Sequence, residues 1–588
     1  MEQKLGSEEV TWDLTHLYRD LKDQNINSDI ETIKSKISIF STKYRGKIGI
    51  ISPSELQSAV VEMEEIEQSS TRIASYAYLN FATQSNNPEA GAFLQKQKEI
   101  MSQFSKEMVF FDLEWASLED EKAASLLEDH ALGKYRHYLT KLRKYRPHLL
   151  SETEEKLLAE MSPVGASSWN NLFEKVISQT KFAGRAEEEV LSDLYNTDRQ
   201  VRIKAAKDFT EGLSSQDHIL THIFNTILAE KMIKDRLRKY PDWISSMNLD
   251  NEIDEKIVNA LVSAVKDRYD IPQRYYKLKR ELLGYDELFD YDRYAPLPAS
   301  SEKKIPWNKG REMVLKAYND FSPQMSDITL KFFEGRWIHA PIIPGKIGGA
   351  FSSPCTPDVH PYVMLNYSGN KRDVQTLAHE LGHGVHQYLA GGQGYFNSQT
   401  PLITSETASV FGEMLVFRSL IEKAVDRDEK VNLLTVKLEE IFATVFRQIA
   451  MNRFEDAVHR DRRDNGELSP QRFGEHWINT QKEMFGTSVT LTENYSVWWS
   501  YIPHFLHAPG YVYAYAFAEL LVLSLYRMFM EEGDSFVPKY LNLLASGGKD
   551  TPEKLLENFG ISLEDPRFWY EGLEIIDGML KQVEELVY

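Results

Sequence analysis

The stretch Asp373-Val-Gln-Thr-Leu-Ala-His-Glu-Leu-Gly-His383 runs without a proline and reads as one continuous helix. On a helix, residues i and i+4 share a face, so His379 and His383 can offer both imidazoles to one ion, with Glu380 beside them. That is the arrangement of a catalytic zinc site. With 15 histidines in 588 residues, a chance His-Glu-x-x-His is expected at roughly a few per cent, so the surroundings have to carry the reading. A purely structural zinc site closes four protein ligands, usually with cysteines, and this chain has only Cys355.

The composition fits a folded enzyme. Apolar residues make up 42% and charged residues 27%, which excludes disordered and fibrous classes. The balance of 68 Lys plus Arg against 88 Asp plus Glu leaves a net charge of −20, which argues against nucleic-acid or anionic-lipid partners. The basic stretches 141–148 and 460–464 read as helix ends or internal ion pairs. One cysteine excludes an intramolecular disulfide framework, and the N-terminus has no apolar signal-peptide core. No stretch supplies about 18 uninterrupted apolar residues, so no membrane partner and a cytoplasmic location are expected.

Working outward, residues 20–145 read as long amphipathic helices with acidic polar faces, a scaffold or cover without chemistry of its own. Helical patterning continues to about 300. Tyr291-Asp-Arg-Tyr-Ala-Pro-Leu-Pro, followed by Ala299-Ser-Ser-Glu-Lys-Lys, is the best linker, dividing a helical region 1–300 from a catalytic region 301–588. Segments from Arg336, Gly345 and Tyr362 read as short strands with glycine-rich turns. Their exposed edge could pair with an extended peptide, and Gly349 and Ala350 lie where another backbone could approach, although a tight turn explains the glycine equally well. After a stop at Gly391-Gly-Gln-Gly394, helices are expected over 404–424, 434–458, 471–484 and 516–531.

Two histidines leave a catalytic zinc short of its third protein ligand. Glu406, expected in the first turn of the 404–424 helix, is the best candidate. Glu413, two turns on, can orient a ligand imidazole from behind, although an ordinary ion-paired glutamate explains it as well. His386 is the rival ligand, but 379, 383 and 386 on one straight helix converge poorly on a tetrahedral ion. With His379, His383 and Glu406 around zinc, Glu380 would take the proton of a water attacking a carbonyl. The segment 495–515, dense in His and Tyr, can donate to a substrate carbonyl or oxyanion, with Tyr511 and Tyr515 on one helical face and Tyr513 off it.

Trp12-Asp-Leu-Thr-His-Leu-Tyr18, Gly349-Ala-Phe-Ser, the run from Leu365 to His386, Ser405-Glu-Thr-Ala-Ser-Val-Phe-Gly-Glu413 and Ile502-Pro-His-Phe together resemble the M3 peptidases of the oligoendopeptidase F type. The resemblance implies a mainly α fold: a large helical metallopeptidase body with a deep channel for short, unfolded peptides and a small β-sheet near the active site. It implies one zinc ion per chain on His379, His383 and Glu406, with Glu380 as general base. It further implies His504 on the substrate carbonyl, Tyr511 on the transition state, Tyr515 beside them, and Gly349-Ala350 in the substrate-pairing edge strand. The segment around Pro509-Gly510 looks one residue long for the family, which leaves His504 and His507 both open. Endopeptidase action on oligopeptides is expected; the alternatives are a carboxypeptidase or dipeptidyl carboxypeptidase on the same zinc, or a non-catalytic peptide-binding protein.

Overall fold

The computed structural model describes residues 4–297 and 304–588. The fold is predominantly helical, with a single three-stranded sheet among the described residues. The chain clusters into two compact units, each assembled from three segments: residues 1–146, 302–422 and 528–561 in the first, and 147–301, 423–527 and 562–588 in the second. The boundary expected at 300/301 falls outside the described residues. Of the proposed linker, residues 291–295, together with Asp290 before them, are not an exposed tether. Asp290, Asp292, Arg293 and Ala295 are buried, because the Asp292 carboxylate is held by both Arg199 and Arg202.

In the first unit the N-terminal helices form as their pattern demands. Gln24–Tyr44 buries Ile26, Ile30, Ile33, Ile37, Phe40 and Tyr44, alternating steps of four and three that keep one stripe inward. Each such side chain contributes about 1.5–3 kcal/mol by leaving water. The next helix, Pro53–Ala82, starts on a reciprocal cap in which Ser52 and Glu55 satisfy each other's backbone N–H. The basic stretches behave as expected: Arg143 and Arg146 pair with Asp120, while in the second unit Arg460 and Arg463 pair with Asp242 and Asp235.

The sheet also lies in the first unit. Strands β1 (Ile338–His339), β2 (Phe351–Ser353) and β3 (Tyr362–Met364) are ordered β1-β3-β2, with β3 parallel to β1 and antiparallel to β2. All three are shorter than their sequence pattern suggests, and β2 is an edge. Trp12 explains why the N-terminal motif matters to this sheet: its ring packs on His339 and Tyr362 at 5.2 and 5.9 Å, while the Tyr362 hydroxyl donates to the Asp13 carbonyl.

The second unit is built on Arg199–Ser215, Asp217–Leu237, Phe446–Asn465 and Pro470–Phe485 around an aromatic core. Trp499 stacks on Phe473 at 4.4 Å and meets Phe224 edge-on at 4.7 Å. The helix expected over 434–458 is two helices, Arg427–Thr444 and Phe446–Asn465. The chain breaks at Val445, whose ψ of −71° departs from the helical value.

Candidate active site

The helix that carries His379 and His383, the candidate metal helix, is Lys371–Ala390. Asn370 caps it by accepting from the Asp373 N–H, and the Asp373 carboxylate returns to the Asn370 N–H. Its apolar side, Val374, Leu377, Ala378, Leu381 and Val385, is fully buried against the helices Trp307–Phe321, Pro323–Glu334 and Phe536–Ser546. The opposite side carries His379 and His383, whose rings lie 5.0 Å apart and nearly perpendicular.

Glu406 does not sit in the first turn of a helix over 404–424. That segment is two helices, Leu402–Ser405 and Ser409–Lys423, and Glu406 lies at the break between them. The break has a tertiary cause. A Cβ on Gly382 of the metal helix would stand 2.3 Å from the Ala408 carbonyl oxygen, so the turn at 407–408 is pressed directly against that glycine. Tyr540 fixes the turn from the other side by donating to the Thr407 carbonyl at 2.8 Å. Gly382→Ala should therefore push the Glu406 turn off the metal helix. The expected cost is about 1–3 kcal/mol of stability, read as a lowered Tm, together with weaker metal retention by equilibrium dialysis.

The result is a convergent donor set. His379 Nε2 and His383 Nε2 lie 3.4 and 3.3 Å from the same oxygen, Glu406 Oε2. Ligands at 2.0–2.1 Å in a tetrahedron stand about 3.3 Å apart, so this spacing suits a four-coordinate ion. Among the described residues these three are the group whose ligand atoms can hold a metal ion together. His379 Nδ1 lies 3.3 Å from Glu413 Oε2, which leaves Nε2 as the atom facing the site. The Ser409 hydroxyl holds Glu406 Oε2 at 2.6 Å and so fixes the carboxylate's rotation. Burial pushes Glu406 up, but hydrogen bonds from His379 and His383 outweigh it and hold the carboxyl far below its ordinary range, ionised as a cation requires.

Glu380 is buried beside this set, and its Oε2 has no hydrogen-bond partner. Buried carboxylate oxygens are rarely left so, and this one fits a site whose remaining polar occupants are exogenous. Burial raises its pKa against the opposing pull of His379 and His383. His386 is fully enclosed and stands outside the triad; burial lowers its pKa to about 4.

The edge strand is tied to the same helix. Gln387 Nε2 donates to the Ser352 carbonyl, and the Ser352 hydroxyl donates to Gln387 Oε1. Gly349 has a φ of +77° and no atom within 4 Å of where a Cβ would be, so it is the turn conformation that calls for glycine. Ala350 leads directly into β2. Beyond the strand's other end lies a cavity of about 700 Å³ lined by Ser353, Cys355, Thr356, Gln387, Tyr388 and Tyr395; the triad does not border it.

His504, Tyr511 and Tyr515 belong to the second unit and cluster there. His504 Nε2 is 3.2 Å from the Tyr515 hydroxyl, and the rings of Tyr511 and Tyr515 are 4.9 Å apart. Tyr511 precedes the helix Tyr513–Glu532 instead of lying on it, yet its ring still meets that of Tyr515. Tyr513 is buried against Asn251. His507 is turned away to an exposed pair with Glu174. Burial, and after it the Arg447 charge, holds His504 below its ordinary pKa, as a neutral imidazole.

Three residues that shape the site escape a sequence reading: Gly382, Ser409 and Tyr318. The Tyr318 hydroxyl donates to the Ala378 carbonyl in the metal helix. Gly382 had a signal, since glycine inside a helix costs about 1 kcal/mol against alanine and invites a packing reason.

The chain matches the model of Peptidase family M3 over residues 193–575 and that of Oligopeptidase F over 114–182. It belongs to peptidase family M3. Oligopeptidase PepF of Bacillus subtilis is 26% identical over 591 residues, covering 98% of this chain and 87% of that protein. An oligoendopeptidase F homolog of Borreliella burgdorferi is 23% identical, covering 99% and 98%. The crystal structure of oligoendopeptidase-F from Enterococcus faecium superposes with a TM-score of 0.73 at 21% identity, covering 96% of this chain and 99% of that one, and shows the same fold. As an M3 peptidase of the oligoendopeptidase F type, the chain is a metalloendopeptidase that hydrolyses peptide bonds. No helix of the described residues is long and apolar enough to cross a membrane.

Proposed function

We propose that this M3 peptidase is a zinc endopeptidase that cuts internal bonds of short, unfolded peptides, with one ion per chain held by His379, His383 and Glu406. The observation that carries the reading is the convergence of both imidazole Nε2 atoms on Glu406 Oε2 beside a buried, partnerless Glu380 oxygen. Two nitrogens and one carboxylate oxygen form a catalytic zinc donor set that leaves a position open. Zinc held there supplies Lewis-acid charge that acidifies a water and polarises the scissile carbonyl.

The chain's own residues do the rest. Glu380 accepts the proton of the attacking water and passes it to the leaving amine; its raised pKa suits a group that must hold the proton between those two steps. Glu413 holds His379 in the ligating orientation, and Ser409 does the same for Glu406. Strand β2, an edge leading from Gly349 and Ala350 and clamped by Gln387, offers backbone groups to an extended peptide. His504 and Tyr515 contact the substrate carbonyl side, and the Tyr511 phenol donates to the developing oxyanion. Tyr511→Phe should lower kcat about 10²-fold, leaving KM and zinc content near those of the parent.

The buried Cys355 thiol, pushed up to about 11 by burial, is unreactive. A chain with this one cysteine has no disulfide framework of its own, which supports a cytoplasmic location. The deciding assay is digestion of a mixed short-peptide library by the zinc-loaded protein. Peptides left intact would refute the assignment.

A further inference from the structure

The second unit holds a feature to which the proposed hydrolysis assigns no step. A cavity of about 50 Å³ is bordered by Tyr276, Arg293, Tyr294, Glu439, Phe446 and Arg447. Two guanidiniums border it, and neither forms an ion pair with a carboxylate among the described residues. Arg293 is buried, with its guanidinium 5.0, 5.1 and 4.9 Å from the rings of Tyr294, Phe485 and Tyr495. It donates to the Asp290 carbonyl and the Tyr495 hydroxyl and also meets the Tyr294 phenol. Arg447 is worse served: among the described residues its guanidinium reaches the Tyr501 hydroxyl at 3.4 Å, and its Nε is buried with no acceptor.

Nearby acids do not make up the balance. Glu439, the carboxylate on the cavity wall, already accepts from Tyr275 and from the fully buried Lys279 ammonium. The Asp290 carboxylate accepts from the Thr492 N–H through one oxygen; the other has no hydrogen-bond partner. Although the carboxylate's charge acts on Arg293 across space, burial pushes its pKa up and so disfavours the ionised form. A guanidinium carries five N–H donors and cannot shed its proton, so buried Arg293 beside the partly exposed Arg447, neither ion-paired to a carboxylate among the described residues, is a costly arrangement. The cavity is small, with room for an occupant of water or halide size.

We propose that this cavity binds a small monovalent anion of the halide class between Arg293 and Arg447. The internal alternative is an ionised Tyr294. Burial pushes that phenol up, but the Arg293 and Arg447 charges outweigh burial and pull its pKa below the ordinary value.

The test uses the full-length, metal-loaded protein exchanged into gluconate. Chloride titration should give a saturable excess broadening of the chloride NMR line. Chloride and bromide should also raise Tm over gluconate at equal ionic strength, and both effects should vanish in Arg447→Met. No excess broadening in the parent, or broadening that survives Arg447→Met, overturns the proposal. So does a phenolate ultraviolet band at neutral pH that Tyr294→Phe removes. If Arg447→Met does not fold, bromide-soaked crystals of the parent decide. An anomalous peak in the cavity supports the site and an empty cavity overturns it.

Discussion

Glu380→Gln is expected to lose about 10³- to 10⁴-fold in kcat while keeping its metal, because glutamine preserves volume and hydrogen bonding but cannot take a proton. The residue is buried, and its Oε2 has no hydrogen-bond partner. The loss should fall on kcat and kcat/KM alike, the signature of an interaction realised at the transition state. Metal analysis of the same sample separates this outcome from a collapsed site. Zinc at one equivalent with slow turnover supports the proton-transfer role, whereas full activity would remove Glu380 from the mechanism.

Glu406→Ala is expected to act differently, through the metal. It removes the oxygen on which both imidazoles converge and leaves a two-histidine site too poor in ligands to retain zinc against a weak chelator. Activity at low free zinc should fall at least about 10³-fold, with partial recovery as zinc is raised, because ligand loss lowers affinity before it abolishes chemistry. Glu380→Gln should show no such recovery. The contrast between the two variants assigns one glutamate to the ion and the other to the proton.

The parts of this architecture that sequence reveals are those fixed by local periodicity. The step of four between His379 and His383 places them on one helical face whatever surrounds the helix, and the stripe in Gln24–Tyr44 fixes which side of that helix is buried. Glu406 is also legible as a candidate ligand, but its surroundings are not. The break between Leu402–Ser405 and Ser409–Lys423 exists because Gly382 brings the metal helix against the Ala408 carbonyl, and no local pattern encodes that contact.

The same reason governs the larger organisation. Residues 1–146 share a unit with 302–422, and 147–301 with 423–527, pairings made by contacts far apart in sequence. The stretch 291–298 has the prolines and charges of a linker, yet Asp292 and Arg293 are buried because arginines and aromatic rings from distant segments meet them. Likewise, what distinguishes His504 from His507 is three-dimensional: His504 meets Tyr515, and His507 meets exposed Glu174.

The most direct test of the zinc endopeptidase reading is product mass analysis on peptides blocked at both ends. Chelator-stripped protein, restored with one equivalent of zinc, should cut these peptides at interior bonds, and the stripped protein should not. Blocked peptides left whole while their free-ended counterparts are trimmed would contradict endopeptidase action. Equal cleavage with and without zinc would contradict the metal site itself.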